Sequence, residues 1–335
     1  MKKVFILTMA AAVACLMGAC KKEGVYNPKQ KIARIYVESH STNAYFDGNE
    51  WQTYTYDNPK ELVEEWTWDG KLLTQIAYPY TTENADGDIT TIYEYAKFTY
   101  DGKQLTEVSS DWERMVFTYD GKKLDKAELY YSYNINTKAG NEPDVVFNFI
   151  YDGKKISKVG VSYEDIDFMN KAGVKQRNGL MQMLEKSILP DVRGTERMMA
   201  AACDKARKAG AKGRINLDMN LTWDGNNISR IITSHNGMVF QTDEYTFDNK
   251  KNPFNGFLFT FCGDLVEFED SPMMFGNENN ILSTKSIEAG NDEAYTVNYT
   301  YTYDGNWPVS VSYSSGSEDE YNRWTNVVTS YYEYK

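Results

Sequence analysis

One pattern recurs through this 335-residue chain and limits what it can fold into: an aromatic, usually Thr, a second aromatic, then Asp followed by Gly or Asn. It begins at Tyr54, Trp66, Phe98, Phe117, Phe149, Leu221, Tyr245 and Tyr301, with Ile150 replacing Thr once and Leu221 replacing the first aromatic once. A repeat fixes architecture before any single residue is interpreted. Two aromatics two places apart share one face of a strand, and the Thr between them points the other way. Asp-Gly then supplies a tight turn, because Gly accepts positive φ. After each turn an alternation resumes: Ala127, Leu129 and Tyr131 follow Asp120, with Lys126 and Glu128 between them. Val159, Val161 and Tyr163 follow Asp152, and Ile76, Tyr78 and Tyr80 follow Asp69. Alternation with one apolar face predicts half-buried antiparallel strands. The expected fold is all-β, a large antiparallel meander of repeated β-hairpins. Roughly sixteen to eighteen strands are too many for a flat open sheet, so the meander should curl into an open or closed barrel. Phe259-Thr260-Phe261-Cys262-Gly263 reads as a decayed further copy.

The N-terminus follows a different logic. Lys2-Lys3 precede an apolar run from Val4 to Met17, and the small residues Gly18-Ala19 precede Cys20. This is the pattern of a secretory signal. A Cys after small residues resembles the lipobox of bacterial lipoproteins, with Leu16 one place early. Residues 1–19 are thus expected to be a lipoprotein signal peptide, Cys20 the lipidated residue and residues 20–30 a polar tether. Residues 31–335 would form a single repeat-built β domain. A net charge of −12 argues against nucleic acid or an anionic membrane surface as partner. Cys203 and Cys262 could pair in an oxidising envelope, although Cys203 lies in an Ala-rich stretch and reads better as a small apolar residue.

The runs Tyr119-Asp120-Gly121-Lys122-Lys123-Leu124 and Tyr151-Asp152-Gly153-Lys154-Lys155-Ile156 resemble the YD repeats of Rhs-type proteins. Together with the lipobox, and with Asp248-Asn249-Lys250-Lys251-Asn252-Pro253-Phe254 as a variant turn, the chain is more similar to a family of Bacteroidetes envelope lipoproteins with a porin-like β fold. The resemblance covers most of residues 31–335. It implies a fold and an envelope location, and no catalytic residues.

Function is expected away from the repeat. The Asp-Gly turns are uniform, whereas connections such as 81–90, 134–144, 164–213, 269–280 and 314–323 are unlike one another, and specific surfaces usually sit on such loops. Residues 165–213 interrupt the β pattern as a helical insertion. Met181, Leu184 and Ile188 share one helical face, and Met198, Ala202 and Ala206 line a second helix starting at Thr195. The pair would seal a sheet end or act as a plug. The repeat aromatics read as a core ladder. Trp51, Trp112 and Trp324 fall outside that register; packing is expected for each, and sugar stacking is the alternative.

Chemistry has little to stand on. Only His40 and His235 exist, so a His-based metal site is not expected, and no phosphate loop appears. Asn84-Ala85-Asp86-Gly87-Asp88 lacks the distant bidentate Glu of a calcium loop. Glu64-Glu65 gives no anchor for a glycosidase reading. The expectation is a non-enzymatic protein without cofactor, lipid-anchored to the outer membrane on its periplasmic side or at the cell surface. It would bind a saccharide or peptide through variable loops or a concave face, or else act as a scaffold for a partner protein.

Overall fold

The computed structural model describes residues 25–335 except 47, 84–86, 112, 132–142, 144, 164–214, 258–276, 291–293 and 319–321. The signal peptide, Cys20, the helical insertion, the decayed copy, Trp112, Cys203 and Cys262 therefore lie outside the described residues.

The described chain forms sixteen strands. They are β1 (Ile32–Phe46), β2 (Trp51–Asp69), β3 (Leu72–Glu83), β4 (Ile89–Asp101), β5 (Gln104–Ser109), β6 (Glu113–Asp120), β7 (Lys123–Tyr131) and β8 (Val145–Asp152). The second half comprises β9 (Lys155–Tyr163), β10 (Ile215–Asp224), β11 (Asn227–His235), β12 (Met238–Phe247), β13 (Ile281–Glu288), β14 (Ala294–Asp304), β15 (Trp307–Glu318) and β16 (Asn322–Tyr334). Each strand pairs antiparallel with its sequence neighbours, and β1 pairs with β16, so the meander closes into a barrel.

The repeat builds the floor of this barrel. At six copies Asp ends one strand and pairs with the residue three places on, as in Asp120↔Lys123. The loop is the two residues between, with Gly first at φ 54 to 60. Positive φ at the first loop position alone is the type II′ hairpin, whose twist matches the strands. A register shift falls between Thr and the second aromatic, for example between Thr118 and Tyr119. This bulge turns the second ring along the floor.

That ring explains the rest of the motif. Tyr119 Oη donates to the Leu105 carbonyl (2.6 Å), Tyr151 Oη to Leu124 (2.9 Å), Tyr100 Oη to Leu73 (2.7 Å) and Trp223 Nε1 to Ile156 (2.7 Å). In each case the acceptor is the fourth residue after the Asp of the preceding copy. The Lys before it reaches the other way: Lys123 Nζ donates to the Gly153 carbonyl (2.6 Å) and lies 4.6 Å from the Tyr151 ring centre. Lys155 makes the same pair of contacts with Gly225 and Trp223. Tyr-Asp-Gly-Lys-Lys-Leu is thus a two-way clasp between successive hairpins.

Sixteen strands enclose a lumen wide enough for a water channel, yet the floor half is filled. Trp66, Phe98, Phe117, Phe147, Phe149 and Leu221 are buried with residues from the other strands in one apolar cluster. Phe254 and Phe257 enter it from the excursion between β12 and β13, and Tyr26 enters from the N-terminal side. Phe257 lies 4.8 Å from Tyr26, 5.3 Å from Trp66 and 6.0 Å from Phe98 between ring centres. Tyr26 Oη donates to the Pro253 carbonyl (2.8 Å). Within the segment expected as a tether, Tyr26 is therefore docked in the core.

Three expectations change. The connection 269–280 is expected among the variable loops, at the strand ends opposite the Asp-Gly turns, but the excursion leaves and returns at the floor, where Asp248 N donates to the Asn280 carbonyl (3.0 Å). Asp248 does not make a turn. Its carboxylate accepts from Lys250 N, Asn280 N, Asn280 Nδ2 and Tyr303 Oη, anchoring the excursion. Likewise Tyr54-Thr55-Tyr56-Asp57 is not a strand-into-turn copy, because β2 runs through it without a break.

The outer wall mixes ion pairs with scattered exposed apolar residues such as Ile150 and Val327. Ion pairs Arg34–Glu65 (2.8 Å), Lys126–Glu128 (2.9 Å) and Lys158–Asp218 (2.8 Å) lie on it at partly exposed positions. Such pairs stabilise little, but they stand where a membrane-spanning barrel needs an apolar band.

Candidate ligand-binding face

The upper half of the wall is not continuous. Among the described residues, β2 and β3 pair only up to Glu65↔Ala77, β4 and β5 up to Lys97↔Ser109, and β14 and β15 up to Tyr299↔Tyr313. Beyond these rows β15, β16, β1 and β2 pair only with one another, rising as a four-stranded blade. The upper parts of β3 and β4 form a separate two-stranded ribbon.

Register carries the inward face of the barrel up the blade. Directly opposite residues share a face, and the pairs run without a shift from Ile35↔Tyr332, deep in the core, to Asn43↔Trp324. Ser39, Ser41, Asn43 and Tyr45 of β1 therefore face the same side as Trp324, Asn326 and Val328 of β16. The β2 partners are Asn58, Tyr56, Tyr54 and Gln52. None of these residues carries a charge. The reverse face of the same strands carries Glu38, His40, Asp57 and Arg323.

Packing on this inward face loosens upward. Val328 is fully buried in a small cluster with Val37, Val297 and Tyr313. Ser39 is 7% exposed, whereas Tyr45, Tyr54 and Tyr56 are 43%, 47% and 57% exposed. The Tyr45 and Tyr54 rings stack with centres 5.9 Å apart and planes 9° from parallel. The lower polar groups are pre-arranged: Ser41 Oγ donates to Asn326 Oδ1 (2.9 Å) and Asn58 Nδ2 to Ser39 Oγ (2.7 Å). Asn43 is exposed between Trp324 and Tyr54 in the same row. Flat aromatic surface edged by amides and hydroxyls is suited to stacking plus directional hydrogen bonding.

Residues weighed from the sequence separate clearly. Trp324 faces the inner side of the blade, whereas Trp51 packs on the outer side, 5.8 Å from Phe46 and beneath Arg323. Glu64 and Glu65 point to opposite faces: Glu65 pairs with Arg34 outside, and Glu64 is buried inside, accepting from Trp66 Nε1 (2.6 Å). Burial pushes the Glu64 carboxyl up to about 7 against the lowering effect of the Trp66 bond. Asp243 is also interior, accepting from Gln241 Nε2 (2.9 Å) and Ser286 Oγ (2.6 Å), and burial raises it to about 6. His40 meets Asp57 on the outer face (2.5 Å), and His235 Nδ1 donates to the Asn216 carbonyl (2.6 Å). Among the described residues no group of three His, Cys, Asp or Glu gathers to hold a metal.

Sequence reasoning missed the blade tyrosines because they match the repeat. The available signal was the next two residues: Asn58-Pro59 replaces the Gly that a type II′ loop needs.

No protein-family model matches the chain. No curated protein matches it significantly. Solved structures do. A porin-like protein from Bacteroides uniformis aligns over 94% of this chain and all of its own, with a TM-score of 0.50 and 10% identity. The fold is porin-like. A second porin-like protein, from Bacteroides vulgatus, aligns over 92% of the chain at a TM-score of 0.30 and 9% identity. A TcdB2-TccC3-Cdc42 assembly aligns over 83% of the chain and 15% of its own at 0.27 and 11%. The likeness to the Bacteroides uniformis protein, at 10% identity, extends to the fold alone.

Proposed function

We propose that this chain is a non-enzymatic, lipid-anchored barrel of the bacterial envelope, on the periplasmic side of the outer membrane or at the cell surface. It captures a saccharide or peptide on the inner face of its blade. The observation that carries this reading is the contrast within one continuous face: solid apolar packing at the floor, and unpacked, uncharged aromatics above. A filled floor suits a scaffold rather than a pore, and the ion-paired outer wall suits a body standing in water and held to the membrane by Cys20. A second reading, a docking platform for a partner protein, draws on the ribbon. Among the described residues its ladders to β2 and β5 end at Ala77 and Lys97, and Tyr93 and Tyr95 stack on its exposed surface (6.3 Å). A ribbon that rises beyond its neighbours can accept an added strand.

Fractionation tests the anchored, water-facing part. Cys20→Ala should move the protein from the membrane to the soluble fraction, monodisperse without detergent. Retention in the membrane, or dependence on detergent, would contradict it. An array of glycans and peptides tests capture: retention should be lost in a Tyr54→Ala/Tyr56→Ala variant, and unchanged retention would contradict the assignment to this face.

A further inference from the structure

The chemistry of the blade narrows the ligand. We infer that the face binds an uncharged oligosaccharide, with sugar rings on Tyr54, Tyr56 and Trp324 and with hydroxyls on Asn43 and the Ser41–Asn326 and Ser39–Asn58 pairs. This inference rests on the proposed capture by the blade and adds the class of ligand.

Charge is the first argument. The protein carries −12 overall, and acidic or basic side chains are present on the outer wall and on the reverse side of these same strands. Yet the inner residues from Ser39 to Tyr45, from Gln52 to Asn58 at every second position, and Trp324, Asn326 and Val328 include none. Below these rows the same side carries one exposed carboxylate, Glu61 opposite Val37, which would repel an anionic glycan. Leaving charged groups out of a polar, exposed face favours a ligand that is polar and neutral.

Shape is the second argument. A peptide recognised through its side chains needs pockets, and one recognised through its backbone needs a free strand edge. The inner face itself is a paired sheet surface with rings standing on it, and the β2 edge beside it is interrupted by Pro59, which has no N–H to give an added strand. The Tyr45 and Tyr54 rings stack on one another with nearly parallel planes, which holds the Tyr54 ring in one orientation. A pyranose ring is flat, with C–H groups that stack on aromatic faces and an equatorial rim of hydroxyls. Each hydroxyl both donates and accepts, as an Asn amide does with its separate NH₂ and carbonyl. Pre-paired amides and hydroxyls lose little freedom on binding.

Position is the third argument. Tyr54, Tyr56 and Trp324 are not needed by the core, because the apolar cluster ends below them at Val328 and, among the described rings, the contact made is that of Tyr54 with Tyr45, itself exposed. Exposed aromatic area on a surface otherwise rich in polar residues marks an interaction site.

The test uses the mature protein on an array holding neutral oligosaccharides, uronate- or sulfate-bearing oligosaccharides and peptides. Hits are then titrated at low and high salt. The expected result is retention of neutral oligosaccharides, unchanged within about twofold by salt because no ion pair contributes. Tyr54→Ala/Tyr56→Ala should weaken it at least tenfold, and Asn43→Asp severalfold, with denaturation midpoints unchanged. Selective retention of acidic glycans or of peptides, still lost in the tyrosine variant, would overturn the neutral-saccharide class while leaving capture by the blade intact. Binding that ignores the tyrosine variant, or no retention at all, would overturn both.

Discussion

Tyr-Thr-Tyr-Asp occurs twice, and its two copies do opposite things. At Tyr301–Asp304 it ends β14: the rings pack at the floor (5.8 Å between centres), Tyr303 Oη donates to Asp248, and Gly305 at φ 60 turns the chain. At Tyr54–Asp57 it lies in β2, both rings are about half exposed, and Asn58-Pro59 carries the strand onward. Strand and facing are the same, since in both copies the tyrosines point inward. What differs is the residue after the Asp and the height in the barrel. Gly permits the turn that returns the chain into the clasped floor. Asn-Pro does not, and Pro without an N–H is tolerated because β2 is an edge strand there. One tetrapeptide therefore supplies core at one end and an unpacked aromatic surface at the other.

The largest effect should come from the floor. Phe117 is 4% exposed in the main cluster. Phe117→Ala should cost about 3–5 kcal/mol, read as a lower denaturant midpoint. A loss below about 1 kcal/mol, the range of surface changes, would mean that the floor is not the packed half.

A smaller effect separates the halves by pH. Glu64 is held at about 7 by burial, above its ordinary 4.5. Between these values the folded chain keeps a proton that the unfolded chain has released, so stability falls as pH rises through that window. Glu64→Gln keeps an acceptor for Trp66 and should flatten the slope, gaining on the order of a few kcal/mol at pH 8. Asp243, raised to about 6 by burial, leaves a residual slope of the same sign at lower pH. Identical pH profiles for wild type and variant would contradict the burial of Glu64.

The smallest floor effect isolates the clasp. Tyr119→Phe keeps the ring and removes only the donor to Leu105, and should cost about 1 kcal/mol. Thermal or denaturant unfolding checks it. No change would show that the clasp holds geometry without adding stability.

Much of the fold was legible in the sequence for a physical reason. Period-two alternation and a Gly that must take positive φ report directly on strand and turn, so strand number and antiparallel order could be read from Asp120-Gly121 and its kin. Closure could not: β1 carries no motif, and its pairing with β16 depends on the whole ring of strands meeting. The floor plug was hidden because Asn252-Pro253-Phe254 looks like a turn variant, and only the contacts of Phe254 and Phe257 show where it goes. The clasp was present as Lys and Leu at fixed distances from Asp, a spacing that has meaning only once neighbouring hairpins are side by side. The candidate face was least legible. Its tyrosines share the motif of the core, and its polar partners are spread over β1, β2 and β16, far apart in sequence.

The central claim is that identical tetrapeptides are structural at one end and free for binding at the other. A paired denaturation experiment tests it most directly, comparing Tyr301→Ala/Tyr303→Ala with Tyr54→Ala/Tyr56→Ala. The floor pair should lower stability by at least about 3 kcal/mol. The blade pair should leave it within about 0.5 kcal/mol while abolishing retention of neutral oligosaccharides. Equal losses of stability from the two pairs would contradict the claim, because the blade tyrosines would then be core.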